Sequence, residues 1–478
     1  MQKITLYQAL LTFEKKEWIQ FQEYVSCSLF NTNKTLLKFL KYLYKHQDSL
    51  FELDSVIVYE HLFPKMPYDV QKLKDIRSRL FRLLKQFWVL QKNQQQTPQN
   101  NLLILQELRQ RKLSSLYQSH YKALLKRQEP PENDQDYYQQ YLLTEESEHF
   151  AELGEVRQTK DRLQEMVDHL DIFYIIKKLK WTCEMLNRSR IVNTNYRLHL
   201  IEDIEKLIQQ TEISHLQVPL IVLYHQVYLS LTQKESEPYF KQLRVLLEKH
   251  VGALSKSEAV SLYRYAQNYC IGKINKGEDS YMQELFDIYK QLLSNKLILE
   301  NGVLAHPHYK NIVTLGLRLK SYDWIKKFIE DYQVFLVEHI RKNAYHFNLA
   351  TYFYETGDFD QVVQLLNSVE FTDVYYEISS KYILMKVYYD LGEFTLLSYL
   401  IISFERYIKR NKAVSSQNRQ GILHFLMVLK KLAKIKEWQT FKGNAFIIAQ
   451  KSKLAILLEK KEPIANSVWL KQKFDNLV

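Results

Sequence analysis

The sequence predicts an all-α protein with a basic helical head followed by paired helices. Three observations carry that prediction. Gly (10) and Pro (9), the residues that punctuate strands and tight turns, are scarce in 478 residues. Leu, Lys, Gln, Glu and Tyr dominate instead, and most of them tolerate helices well. Two of the few glycines, Gly357 and Gly392, recur 35 residues apart before Asp/Glu-Phe.

At this length a single core is not expected, and a hydrophobic fraction of 46 % belongs to a globular chain. Cys27, Cys183 and Cys270 lie too far apart in sequence for a disulfide framework or a four-ligand zinc site. The opening "MQKITLYQALLTFEKKEW" has no secretion-signal pattern. The most apolar runs, 396–404 and 422–429, fall far short of the roughly 20 residues of a membrane span. A soluble, cytoplasmic setting is the default expectation.

The amphipathic stretch 71–92 predicts a helix. Leu73, Ile76, Leu80, Leu83, Leu84, Phe87 and Leu90 repeat at three- and four-residue spacing. Lys74, Arg82 and Lys85 lie opposite, with Arg77 and Arg79 at the flanks. "KNQQQTPQNN" (92–101) reads as a polar connector, and a further helix from about Leu102 to Lys126 adds Arg109, Arg111 and Lys112. "EPPENDQD" (129–136), with two prolines and four acids, is unsuited to a helix interior and is read as an acidic linker. This divides the chain into a basic N-terminal helical domain (1–128), the linker (129–136) and a helical-repeat region (137–478).

The charge divides at the same place. Residues 1–128 hold 21 Lys/Arg against 10 Asp/Glu, whereas the remainder holds 45 against 44. Residues 71–128 alone carry 13 basic residues against Asp75 and Glu107. Such a face serves either solubility or an anionic partner, nucleic acid included.

The paired glycines predict helix–turn–helix units: 342–356, Gly357 and 359–370, then 374–390, Gly392 and 394–409. Leu349, Phe353, Gly357, Phe359 and Leu366 correspond to Leu384, Tyr388, Gly392, Phe394 and Ile401. Glycine suits the left-handed residue that ends a helix, and the aromatic after it is expected to plug the wedge between helices. Trp324 and Trp438 mark weaker copies. This pattern resembles the tetratricopeptide repeat. The resemblance implies a degenerate α-solenoid of about nine pairs over 133–478, holding a protein or peptide partner on a preformed surface. Val362 and Leu397 stand where that family has small residues, and the closing proline is missing from both copies. The 34 tyrosines fall mostly at helical spacing, as core residues with an edge hydroxyl would.

The stretch 28–87 resembles the head of an uncharacterised bacterial family of helical proteins. More loosely, "VYEHLFP…KDIRSRLFRLL" is similar to winged-helix domains, in which Arg77, Arg79, Arg82 and Lys85 would face DNA. The β-hairpin wing that such a domain needs has no alternating apolar pattern here.

Catalytic signals are weak. Gly272 and Gly277 have the spacing of a phosphate loop, but Glu278 and Asp279 would repel phosphate. Glu146 and His149 form a single E-x-x-H spacing, read as a surface helix, and His306 and His308 flank a proline in what reads as a loop. No catalytic residue, metal site or cofactor is implied. The expectation is a non-enzymatic interaction protein, with a nucleic-acid-binding regulator as the alternative.

Overall fold

In a computed structural model, the described residues are 5–93, 98–152, 162–192, 194–209, 218–367, 374–411, 414–458 and 464–477. The chain is all-α, and it divides into two compact units, Met1–Ile175 and Ile176–Val478.

The first unit begins with α1 (Thr5–Leu10), α2 (Lys15–Ser26), α3 (Lys34–Lys45), α4 (Ser55–Leu62) and α5 (Val70–Asn93). Asn33 and Asp54 start α3 and α4 by accepting from backbone N–H groups of the first turn, the ordinary use of a short polar side chain there. The apolar face read from the sequence is the core face of α5. Leu73, Ile76, Leu80, Leu83, Leu84 and Phe87 are buried against Phe21, Phe39 and Leu40, and Leu90 packs at the margin.

After α5 come α6 (Pro98–Gln110), α7 (Ser114–Lys126) and α8 (Asp134–Glu152), then α9 (Leu163–Val192), within which the division between the units falls. No hairpin follows α5 among the described residues, so the winged-helix likeness ends at the helix pattern. The single helix expected over 102–126 is two helices. Lys112 takes a left-handed φ of 56°, and the N–H of Leu113 bonds back to the carbonyl of Leu108 at 2.9 Å. The connector is shorter than expected, because Pro98 already opens α6. Likewise Asp134 and Asp136 of the acidic stretch sit in the first turn of α8, where the helix N-terminus favours negative charge. Leu105, Tyr117, Tyr121 and Phe150 form a separate small core in α6–α8, with Tyr117 stacked on Phe150 at 3.8 Å.

The second unit continues with α10 (Ile201–Gln209), α11 (Pro219–Thr232), α12 (Glu237–His250), α13 (Lys256–Ile274) and α14 (Tyr281–Ser294). A two-residue antiparallel pair, β1 (Leu299–Glu300) and β2 (Val303–Leu304), turns through Asn301 and Gly302, both at positive φ. Then come α15 (His306–Arg318), α16 (Tyr322–Tyr332), α17 (Glu338–Thr356), α18 (Phe359–Asn367), α19 (Val374–Leu391), α20 (Phe394–Arg410), α21 (Ser416–Trp438), α22 (Asn444–Leu458) and α23 (Ser467–Asp475). Sequence neighbours pack together: α11 on α12, α13 on α14, α15 on α16, α17 on α18, α19 on α20 and α21 on α22.

The turns of α15–α16, α17–α18 and α19–α20 share one hydrogen-bonding device. Gly357 (φ 85°) and Gly392 (φ 76°) are left-handed, and the following N–H groups of Asp358 and Glu393 reach back to Phe353 and Tyr388, each at 2.9 Å. This backward bond satisfies a carbonyl that the helix end would otherwise orphan. Between α15 and α16 the same bond joins Ser321 to Gly316 at 2.9 Å, but the left-handed residue is Lys320. The third copy thus keeps the turn and lacks its glycine. Trp438 is the last residue of α21 and begins no helix, so the expected fourth copy is out of phase.

Burial corrects the role assigned to the aromatic after each glycine. Phe359 and Phe394 are half-buried, as are Leu349, Phe353 and Tyr388. The closed positions are Val362 and Leu366 on α18, Leu384 on α19, and Leu397 and Ile401 on α20. Each aromatic is the first residue of its helix, and at that end its ring reaches only the rim of the interface. Close helix approach depends instead on Gly316, where a Cβ would lie 2.3 Å from Ile325 of α16.

Candidate functional site

Two surfaces of the described residues combine exposed groups in patterns that suit a partner. The first is the basic side of α5. Its register is fixed by the buried apolar face, which leaves Lys74, Arg79, Arg82 and Lys85 exposed. Lys85 lies over the Phe81 ring at 5.2 Å.

The other basic candidates have different work. Arg77 is half-buried; its guanidinium donates to the Tyr7 hydroxyl (3.3 Å) and to Ser55 Oγ (3.0 Å), tying α5 to α1 and α4. Arg109 grips Glu146 with two parallel hydrogen bonds of 2.7 and 3.1 Å. The carboxylate holds that guanidinium more firmly protonated than usual, chiefly through the hydrogen bond. Arg111 is exposed and pairs with Glu107 at 2.5 Å, and Lys112 is exposed at the left-handed turn. The structure therefore separates the eight cations, and four of them stand exposed on α5, with the exposed Asp75 among them.

The second surface lies on α19 and α20, and the sequence reading passed over it. Leu397, Ile401, Phe404 and Ile408 use up the core-facing side of α20. Leu396 (47 % exposed), Tyr399 (70 %) and Ile402 (39 %) are left facing solvent. With Leu384 and Tyr388 of α19 they line a groove of about 600 Å³. Among the described residues its charged lining is two cations, Lys381 from α19 and Arg406 from α20. The signal was in the run "FTLLSYLIISF": apolar residues fill more of the helix circumference than one buried face needs.

The motifs that suggested chemistry resolve into structure. Glu146 is 2 % exposed and engaged by Arg109, so its helix is not a surface helix as expected; the Tyr117 hydroxyl also donates to the Glu146 carbonyl at 3.1 Å. His306 and His308 lie in the first turn of α15, not in a loop, and burial holds His308 below the usual histidine range. Gly277 (φ 90°) makes the turn after α13, and Lys273 pairs with Glu278 across it at 3.0 Å. Among the described residues no three His, Cys, Asp or Glu side chains gather as a metal site, and no helix is long and apolar enough to cross a membrane.

Two buried charge clusters in the second unit also need an account. Glu258, 2 % exposed, takes the ammonium of Lys180 on one oxygen and the Tyr224 hydroxyl at 2.5 Å on the other, which joins α9, α11 and α13. Lys386 lies 5.7 Å from the Trp469 ring, and burial pushes its pKa down to about 8; Glu355 and Asp390 oppose the shift, and Lys473 adds to it. Both clusters are bounded by packed helices and serve the junctions between them.

Searches against family models, curated proteins and solved structures find no match for this chain.

Proposed function

We propose that this protein is a non-enzymatic interaction scaffold of tetratricopeptide-like helical pairs, working in the cytoplasm, which holds a protein partner on its second unit. The observation that carries this reading is the groove on α19–α20. Leu396, Tyr399 and Ile402 leave apolar surface on a helix whose core needs are already met by Leu397, Ile401, Phe404 and Ile408. A rigid helix pair presenting an apolar cleft with a polar rim is the usual form of a protein-binding patch. The recurrence of the left-handed turn at Gly357 and Gly392 supports the repeat-like reading.

The test is capture of partners from native lysate by the full chain, with nuclease present, comparing wild type with Leu396→Ser/Tyr399→Ser. Both side chains are exposed, so the fold is expected to survive. A partner retained by wild type and lost by the variant supports the scaffold. An identical set from both would remove this groove from the reading.

The exposed cations Lys74, Arg79, Arg82 and Lys85 favour a second reading, a regulator that touches nucleic acid with its head. Four phosphate contacts make log affinity for duplex DNA fall with log salt at a slope near −4. Reversal of Arg79, Arg82 and Lys85 to Glu is then expected to abolish binding while leaving the helix formed. A flat salt response would eliminate this reading.

A further inference from the structure

The geometry points to an acidic peptide segment, with an apolar side chain flanked by Asp or Glu, as the occupant of the α19–α20 groove. This rests on the scaffold reading and adds the partner's chemistry to it.

Three features specify the occupant. The floor is aliphatic, from Leu384 and Leu400, and Leu396 and Ile402 extend it outward, which suits a leucine, isoleucine or phenylalanine side chain. A volume of about 600 Å³ lies within the roughly 300–1,000 Å³ of pockets that take ligands of a few residues' size. Among the described residues, the charged groups on the lining are Lys381 and Arg406, one from each helix, and no carboxylate joins them. Neither cation has an ion-pair partner among the described residues, whereas the next basic residue on α20, Lys409, is already bonded to Glu405 at 2.6 Å.

This placement is local. Outside residues 1–128 the chain balances 45 basic residues against 44 acidic ones, so two unmatched cations on an apolar cleft are not a by-product of overall charge. Arg406 offers a planar fork to a carboxylate, and Lys381 offers a point charge from the opposite wall. Asn367 and Ser403 line the same groove with polar groups suited to a peptide backbone. Single-stranded nucleic acid fits less well. It needs successive aromatic platforms, and of the two tyrosines here only Tyr399 is well exposed, Tyr388 being half-buried over the aliphatic floor.

The experiment is selection of a phage-displayed random peptide library on the full chain, with Lys381→Glu/Arg406→Glu as the counter-selection target and Tyr399→Ser as a second variant. Thermal melts establish that both variants fold. The expected clones carry an apolar residue between acidic ones. A synthetic peptide of the selected sequence should lose about tenfold in affinity on the charge-reversed protein, and swapping its acids for lysines should restore binding there. Clones that bind wild type and the charge-reversed protein equally, but fail on Tyr399→Ser, overturn the acidic occupant and leave the scaffold reading standing. Clones that depend on none of these residues, or no clones at all, overturn both. Competition of the selected peptides by a single-stranded oligonucleotide at low micromolar concentration would also overturn the peptide assignment.

Discussion

Trp469 donates its indole N–H to the hydroxyl of Tyr354 at 3.1 Å, across 115 residues of chain. The contact fastens α23 back onto α17. Around it, Trp469 meets Tyr389 edge-on at 5.5 Å, Lys473 pairs with Asp390 at 2.5 Å, and Leu470 is fully buried. The last helix joins the apolar cluster of α21 and α22 through Leu470, with these polar contacts at its edge, and that arrangement allows separate tests of each. Trp469→Ala removes the ring, the hydrogen bond and the cation contacts together, with an expected loss of about 3 kcal/mol. Tyr354→Phe removes only the acceptor and should cost about 1 kcal/mol. Denaturant melts of the two variants and of the double mutant measure the coupling, and strict additivity would mean the hydrogen bond contributes nothing.

Lys386 carries a pH signature. Its pKa is about 8 in the folded chain, below the ordinary lysine value. Between about pH 8 and pH 10 the unfolded chain binds the extra proton, so this residue's contribution to stability rises with pH across that window. Well below pH 8 its penalty is fully present, at about 3 kcal/mol. Lys386→Met should therefore raise Tm at pH 7, and the gain should vanish by about pH 10. A gain that is constant with pH would show that packing, not charge, limits the wild type.

Glu258 is the reverse case, a buried charge with partners on both oxygens. Glu258→Ala takes from the Lys180 ammonium and the Tyr224 hydroxyl the buried carboxylate they share, and we expect a loss of about 3–5 kcal/mol. Burial and the neighbouring carboxylate already hold the Tyr224 phenol far above its usual range, so ionisation of that tyrosine will not relieve the defect. A loss under about 1 kcal/mol by chemical denaturation would mean that water reaches the site.

Gly316 tests helix approach. A methyl group there would overlap the side chain of Ile325 at 2.3–2.4 Å and press on Phe286 at 3.1 Å. Gly316→Ala should lower stability by about 1–3 kcal/mol despite the better helix propensity of alanine. Pairing it with Ile325→Val should recover part of the loss if overpacking is the cause.

The repeat signature makes its own prediction. Phe359 is half-buried while Leu366 is 4 % exposed. Phe359→Ala is expected to cost only about 1–2 kcal/mol, less than the 3–5 of a core phenylalanine, and Leu366→Ala about 2–5. The opposite ranking would restore the aromatic as the wedge.

Much of the architecture was legible in the chain alone. The dearth of Gly and Pro specified an all-α protein, the apolar spacing over 73–87 picked out the core face of α5, and Gly357 and Gly392 marked two turns to the residue. These are local properties, set by backbone sterics and helical periodicity, so they can be read one segment at a time. What tertiary structure decided was which residues remain free. Arg77 and Arg109 look like surface cations in sequence but are held by Tyr7, Ser55 and Glu146, the last of them 37 residues from Arg109. Lys320 replaces a glycine because the hydrogen bonds around its turn outweigh the cost of a left-handed side chain. The groove of Leu396, Tyr399, Lys381 and Arg406 exists because α19 packs against α20, and long-range packing alone decides which side of an apolar helix stays uncovered.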